Sequence, residues 1–323
     1  MEVRQFQLGD ENAVVGIYNE TFKHYIETLP EVYDYRPISV ESVLEVVENK
    51  SGDLWVVEVN GRVVGFTQCE VVFEEGEKTV WLTVRPEDIG QSTIAILPEF
   101  QRRRCGSELI RRVLENYKKN GTKIAVALVY DDNPIGESFL KNLGFVDHDV
   151  FQLSSQTKPM ANSTVCVRYN LVDAVEVPEP NIDVKFRNAN KDDVEAIAYI
   201  HERNVWWCDE CSTGEWSLKY IRGELGHRVI VAETGDGIIG VADYIISSGR
   251  IGLGGVLPEY QSQGVGSALF ATLLNAMRDA GLETAFVDSG LTQEEAIRMY
   301  ERFGFQMERK QNCWVKILVQ GLE

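Results

Sequence analysis

Taken as a string of apolar and polar positions, the chain alternates between two periods. Short runs rich in β-branched and apolar residues, the pattern of buried strands, occur at DLWVVEV (53–59), GRVVGFTQCEV (61–71) and KIAVALVY (123–130). They recur at RVIVAE (228–233), IIGVADYII (238–246) and TAFVDS (284–289). Between them the apolar spacing widens to three and four, which predicts helices over SELIRRVLENYKKN (107–120), PIGESFLKNL (134–143), SALFATLLNAMRDA (267–280) and QEEAIRMYERF (293–303). Leu269, Leu273, Leu274 and Met277 fall on one stripe of the third of these. Amphipathic segments at 12–22 and 193–204 stand near the start of each series, and VCVRY (165–169) and NCWVKILV (312–319) are expected as the strand that closes each. The class predicted is mixed α/β: a central twisted mixed sheet flanked by helices, built twice.

The second half repeats the first. LPEFQRRRCGS (97–107) lies over LPEYQSQGVGS (257–267), with Pro98 and Pro258 separated by 160 residues. The same offset carries Gly106 to Gly266, Leu109 to Leu269, Gly121 to Gly281, and Gly144-Phe145 to Gly304-Phe305. One register kept over that distance marks a duplicated unit. Upstream, Glu58 and Gly65 match Glu233 and Gly240 at an offset of 175, so the first copy carries about fifteen extra residues, expected around FEEGEKTVWLTVRPED. VEVPEPN (175–181), with two prolines among acidic residues, predicts a linker. The expected domains are residues 1–175 and 182–323.

Composition narrows the partners. With 44% hydrophobic and 25% charged residues in 323, the chain has the makeup of a soluble globular protein. It has no apolar run of the roughly 20 residues needed to cross a bilayer, and the N-terminus lacks a signal-like segment. A cytoplasmic protein without membrane contact is expected. A formal charge of −18 argues against nucleic acid as the main partner and is compatible with a cationic substrate. The six cysteines have no staple-like spacing, which favours reduced thiols. Cys208 and Cys211 have the spacing of half a zinc site but no second pair, so no metal is expected.

Gln261-Ser262-Gln263-Gly264-Val265-Gly266 stands between a strand and a helix. The first N–H groups of a helix lack internal partners and its dipole makes that end positive. Glycines there permit positive φ and close approach of a phosphate. The segment is neither a dinucleotide fingerprint, having two glycines and no ribose-binding acid, nor a P-loop, having no Gly-Lys-Ser/Thr. A strand ending in V-L-P-E-Y, then Q-x-x-G-x-G and its helix, a strand, and A-x-x-x-Y-x-x-x-G-F together resemble the GNAT superfamily of N-acetyltransferases. The resemblance spans nearly all of each copy, in a tandem arrangement similar to that of mycothiol synthase-like proteins.

That resemblance implies acetyl-CoA as co-substrate, with a small-molecule or peptide amine as acceptor. Backbone groups of Gly254, Val256 and Leu257 are implied to pair with the pantetheine arm, the Val256 N–H serving the developing oxyanion. The N–H groups of Gln261, Ser262, Gln263, Gly264, Val265, Gly266 and Ser267 are implied to hold the pyrophosphate. Tyr300 matches the family's general acid, and Gln293 stands where the family often has asparagine. The implied reaction is direct attack of a neutral amine on the thioester. The strand RIGLGGV carries no carboxylate to act as base. Asp243, Asp288, His201 and His227 are candidates, as are water or an amine already neutral. Trp206-Trp207 fall where the family builds its acceptor site.

In the first copy the loop reads Gln101-Arg102-Arg103-Arg104-Cys105-Gly106, and Leu140 replaces the tyrosine. Arg104 in place of glycine is expected to disfavour the positive-φ turn, and with the tyrosine also lost the first copy reads as structural or substrate-shaping; its three arginines leave open residual binding of a coenzyme A phosphate by charge. Two readings of the whole chain follow: an acyl-CoA-dependent N-acetyltransferase working in its second domain, or a non-catalytic acyl-CoA-binding or scaffolding protein.

Overall fold

A computed structural model of the chain describes residues 1–28, 37–48, 53–74, 77–82, 94–153, 160–204 and 213–319. The apolar runs become strands and the three-four spacings become helices, within a few residues of the expected limits. In chain order the first half forms β1 (Glu2–Gln5), α1 (Glu11–Thr21), α2 (Lys23–Thr28), α3 (Val40–Glu48), β2 (Asp53–Val59), β3 (Arg62–Glu74) and β4 (Glu77–Trp81). It continues with β5 (Ile94–Ile96), α4 (Cys105–Lys119), β6 (Ile124–Tyr130), α5 (Pro134–Asn142), β7 (Val146–His148), β8 (Val150–Phe151) and β9 (Ala161–Asn162). The second half forms β10 (Thr164–Asn170), β11 (Lys185–Asn188), α6 (Val194–Asn204), α7 (Gly214–Ile221), β12 (His227–Thr234) and β13 (Gly237–Ile245). After them come β14 (Arg250–Val256), α8 (Val265–Asp279), β15 (Thr284–Gly290), α9 (Glu294–Arg302) and β16 (Gln306–Ile317).

Two compact units result, and they do not follow the linear division at 175–182. The first contains Met1–Thr164, Gly290–Thr292 and the segment from Lys310; the second contains Val165–Ser289 and Gln293–Arg309. The strands expected to close each copy are therefore exchanged. VCVRY on β10 belongs to the second unit, and the end of β16 belongs to the first, where Gln311–Ile317 pair antiparallel with β6. Cys313, Trp314 and Val315 are buried there. In the second unit Tyr169 of β10 stacks on Phe305 with ring centroids 5.2 Å apart.

In the first unit the strands run β1-β2-β3-β4-β6-β16, with β4 and β6 parallel. Val14 and Ile17 of α1 and Leu109, Ile110 and Val113 of α4 pack with Val56, Val57 and Phe66 in its core. In the second unit β11-β12-β13-β14 are antiparallel, and β15 and β10 follow. Ile197, Ile200 and Tyr220 pack on Val229, Val231 and Val241 in one core cluster. The predicted stripe Leu269, Leu273, Leu274 and Met277 on α8 is fully buried.

Both units share a charged lock at the first helix. Arg187 of β11 donates to both oxygens of Asp193 at 2.7 and 2.8 Å and to Glu233 at 2.9 Å. Arg4 repeats this with Asp10 at 2.7 and 3.0 Å and Glu58 at 3.3 Å. The fork of guanidinium donors matches a carboxylate bidentately. The lock joins the edge strand to the start of the helix in each case.

The extra residues of the first copy fall between the paired positions Gly65 and Ile96. Gly65 pairs with Ile96 as Gly240 pairs with Val256, so β5 and β4 together correspond to the uninterrupted β14. The 175–181 segment is hydrogen-bonded at both ends to the second unit. The Asn275 side chain on α8 accepts from Val175 N–H at 2.9 Å and donates to its carbonyl at 2.8 Å. Further on, Asn181 N–H donates to the Gln263 carbonyl at 2.9 Å.

Candidate active site

The turn before α8 is set by two residues in the left-handed region. Ser262 has φ +60°, and Gly264, the residue that caps the helix, has φ +84°. The Gln261 side chain donates to the Val256 carbonyl at 2.9 Å and that of Gln263 donates to the Glu259 carbonyl at 3.1 Å. Both amides thus brace the turn rather than face a ligand. Ala268 is the first residue of the helix whose N–H is satisfied, by the Gly264 carbonyl. From Ser262 to Ser267 no N–H has a partner among the described residues. Six donors at a positive helix end form an anion cradle. An added Cβ at Gly264 would come within 3.3 Å of Pro180 Cα, so a side chain there would crowd the neighbouring segment as well as strain φ.

β14 forms the floor beside this cradle. Its pairing with β15 is limited to Arg250 and Phe286, so the two strands part before Gly254. Gly252 and Gly254 are exposed. On the other side Leu257 N–H is engaged by the Ile239 carbonyl at 2.9 Å. The alternation of an antiparallel ladder then turns the N–H groups of Gly254 and Val256 away from β13 and toward the gap. Of the three residues implied to pair with a pantetheine arm, Gly254 and Val256 offer N–H groups to the opening and Leu257 does not.

Tyr300 on α9 lies with its ring 5.4 Å from Phe270 and 5.8 Å from Phe305. Its hydroxyl has no hydrogen-bond partner among the described residues. Burial pushes the phenol up to about 12. Gln293 precedes α9 without capping it, and its side-chain oxygen accepts from the Ser289 hydroxyl at 3.0 Å.

The four candidate bases separate. Asp288 is ion-paired with Arg250. His201 is buried, edge-on to Trp216 and Tyr220. Asp243 is fully buried and paired through Oδ2 with Nδ1 of His227, whose side chain keeps 15% of its exposure. Ala242 pairs with Gly254 while Tyr244 pairs with Ile251, so Asp243 alone faces both Gly252 and Leu253 in a bulge of β14. Sequence reasoning named Asp243 and His227 separately and missed their pairing. The available signals were an aspartate inside the apolar run IIGVADYII and the glycines of a strand, which mark a bulge or close approach.

Trp206, Trp207, Cys208 and Cys211 lie outside the described residues. Among the described residues no group of three or more His, Cys, Asp or Glu is arranged to hold a metal. No helix there is long and apolar enough to cross a membrane.

In the first unit the expected loss of the positive-φ turn does not occur. Arg102 and Arg104 have φ +58° and +67°, closely matching Ser262 and Gly264. Gln101 donates to the Ile96 carbonyl at 3.0 Å as Gln261 does to Val256. The surrounding contacts hold the backbone in a shape that arginine disfavours. Leu140, at the tyrosine position, is buried at 2% exposure.

Known proteins agree with this architecture. The family model described as "Acetyltransferase (GNAT) family" matches residues 14–145, and that described as "Acetyltransferase (GNAT) domain" matches residues 225–307. A curated relative, an uncharacterized N-acetyltransferase of Methanocaldococcus jannaschii, is 31% identical over 98 residues, which are 30% of this chain and 40% of the relative's length. Among solved structures, a tandem GNAT protein from the clavulanic acid biosynthesis pathway superposes with a TM-score of 0.67 at 15% identity, covering 99% of each chain. A GCN5-related N-acetyltransferase of Sphaerobacter thermophilus gives 0.60 at 16% identity, covering 99% of this chain and 96% of that one.

Proposed function

From the premise that the chain belongs to the GNAT acetyltransferases and carries two such domains in tandem, we propose that its second unit transfers an acetyl group from acetyl-CoA to a primary amine of a small molecule or peptide. The family's chemistry is acyl transfer. The observation that carries the finer reading is the row of six unpartnered N–H groups, Ser262 to Ser267, beside the gap between β14 and β15. These residues fit a pyrophosphate without any lysine or metal.

Bound there, acetyl-CoA supplies an activated acyl thioester. The N–H groups of Gly254 and Val256 face the gap in which its arm would lie, and Val256 N–H is available to an oxygen that gains charge. Tyr300 offers a hydroxyl donor to the departing sulfur. A phenol near 12 against an ordinary thiol near 8.5 makes full proton transfer uphill by about 5 kcal/mol. Tyr300 therefore stabilises the thiolate by a hydrogen bond, and water completes protonation.

The test uses Gly266→Glu. A Cβ at Gly266 meets only Val256 Cγ2 at 3.8 Å, an ordinary contact. A carboxylate in the first turn of a helix is favourable to folding, yet it sets a negative charge and bulk in the cradle. Calorimetry with acetyl-CoA is expected to show affinity lowered by 10²-fold or more with melting temperature unchanged or raised. Equal affinity in the variant overturns the assignment of the cradle. Wild-type binding without thiol release across a panel of primary amines and peptides selects the non-catalytic reading instead.

A further inference from the structure

The Asp243–His227 pair stands at the bulge of β14, and its position calls for a chemical explanation. An added Cβ at Gly252 would collide with both carboxylate oxygens of Asp243, so the glycine exists where the carboxylate needs the space. Asp243 has no exposure, and its Oδ1 is buried without a hydrogen bond among the described residues. A buried carboxylate is costly unless it is used or compensated. The Tyr220 hydroxyl lies near it, short of a well-formed hydrogen bond; burial and this carboxylate raise the phenol well above its usual value. The His227 ring retains 15% of its exposure, and on β14 Gly252, against the Asp243 carboxylate, and Gly254 are exposed. Two strand residues span about 6–7 Å, so Gly252, against which Asp243 packs, lies that far along β14 from Gly254, and His227 reaches toward it from β12 across β13.

We propose that His227 is the base that deprotonates the acceptor ammonium and that Asp243 is its positioning residue. An ionised carboxylate only accepts hydrogen bonds. Oδ2 of Asp243 therefore fixes the proton on Nδ1 and leaves the lone pair of Nε2 for the substrate. The groups facing the ring are Asp243 from β13 and Tyr220 from α7, with His201 of α6 behind Tyr220. Nε2 takes a proton from R–NH₃⁺, whose N–H bond breaks to leave its electron pair on nitrogen. That pair forms the C–N bond at the thioester carbonyl carbon as the C–S bond breaks, and the sulfur leaves with its electrons and is protonated from water. The second proton on nitrogen is lost to water, and the imidazolium beside Asp243 returns its own to solvent. This rests on the acyl-transfer reading of the same site.

Two measurements separate its failure from the failure of that reading. The first is ¹H–¹⁵N spectroscopy of the histidine rings in the full chain. His227 is expected as the Nδ1–H tautomer with unprotonated Nε2 at neutral pH, and Asp243→Asn is expected to abolish that preference. An Nε2–H tautomer in the wild type, or an unchanged spectrum in Asp243→Asn, overturns the pair whatever the activity. The second is kcat/KM against pH for the wild type and His227→Gln, whose amide still donates to Asp243. A loss of 10²-fold or more at neutral pH is expected, shrinking as pH rises toward the amine's own pKa, with acetyl-CoA affinity unchanged by calorimetry. A loss below threefold, or one constant across pH, overturns the base. If the wild type acylates no amine, the proposed function falls and the base with it, while the tautomer still decides the pairing.

Discussion

At the residue scale, burial changes what Tyr300 can do. With its phenol near 12, the hydroxyl is a better hydrogen-bond donor to a thiolate than a source of a proton. A hydrogen bond to a charged partner contributes about 1.5–3 kcal/mol. Tyr300→Phe is expected to lower kcat roughly 10–10²-fold, measured at saturating acetyl-CoA with melting temperature as the folding control. A loss beyond 10³-fold would establish complete proton transfer, and wild-type turnover would make Tyr300 a packing residue only. Arg104 gives a second prediction. A non-glycine residue at φ +67° costs about 1–2 kcal/mol, and glycine loses about 0.5–1 kcal/mol of extra chain entropy on folding. Arg104→Gly is therefore expected to stabilise the protein slightly, by about 0.5 kcal/mol in denaturant unfolding, and destabilisation would mean that the arginine side chain contributes more than its backbone costs.

At the element scale, the start of α6 depends on Asp193. The Arg187 hydrogen bonds hold its carboxyl below the usual value, helped by the Asn190 N–H and opposed by burial. A folded pKa below the unfolded one gives stability that is fully present above about pH 4, the unfolded value. It is lost as pH falls through the lower folded value. Arg187 is part-exposed and keeps Glu233 as a partner, so losing its hydrogen bonds to the Asp193 carboxylate costs about 1.5–3 kcal/mol. Asp193→Asn is expected to lose stability of that order at pH 7, with the two proteins converging as pH drops below about 4. A difference independent of pH would assign the cost to the changed shape of the cap. The repeated lock at Arg4, Asp10 and Glu58 was not read from the sequence, because its three residues stand too far apart for any local pattern.

At the scale of the whole molecule, the exchange of closing strands makes the two halves interdependent. Residues 1–175 alone would lack Cys313, Trp314 and Val315, which are buried in the first unit. Burying a Trp and a Val alone contributes about 3–6 kcal/mol, comparable to the whole margin of a small domain. The piece 1–175 is expected to be unfolded or aggregated by circular dichroism and gel filtration. The piece 182–323 lacks β10 and is expected to do no better, whereas 165–309 contains all of the second unit's strands. A folded, monomeric 1–175 would show that the exchanged strand contributes little.

Much of this protein was determined by sequence alone. The duplication, its offset of 160 residues, the longer strands and helices of each copy, and the turn at 261–267 follow from patterns a few residues long, because helix and strand periodicity and turn chemistry are local, whereas short elements such as β4, β5, β7 and α7 left no such pattern. The strand-to-helix turn at Gly264 was legible for the same reason, whereas Tyr300 was carried over from the family resemblance and its role is a proposal. Only the tertiary structure decided which unit each closing strand joins, because VCVRY and NCWVKILV are equally apolar and their partners lie far away in sequence. It also kept Arg104 in the left-handed region, where packing of the finished turn outweighs the residue's own preference. And it brought Asp243 to His227, since two positions on neighbouring strands meet only when register and a bulge have been set by everything packed around them.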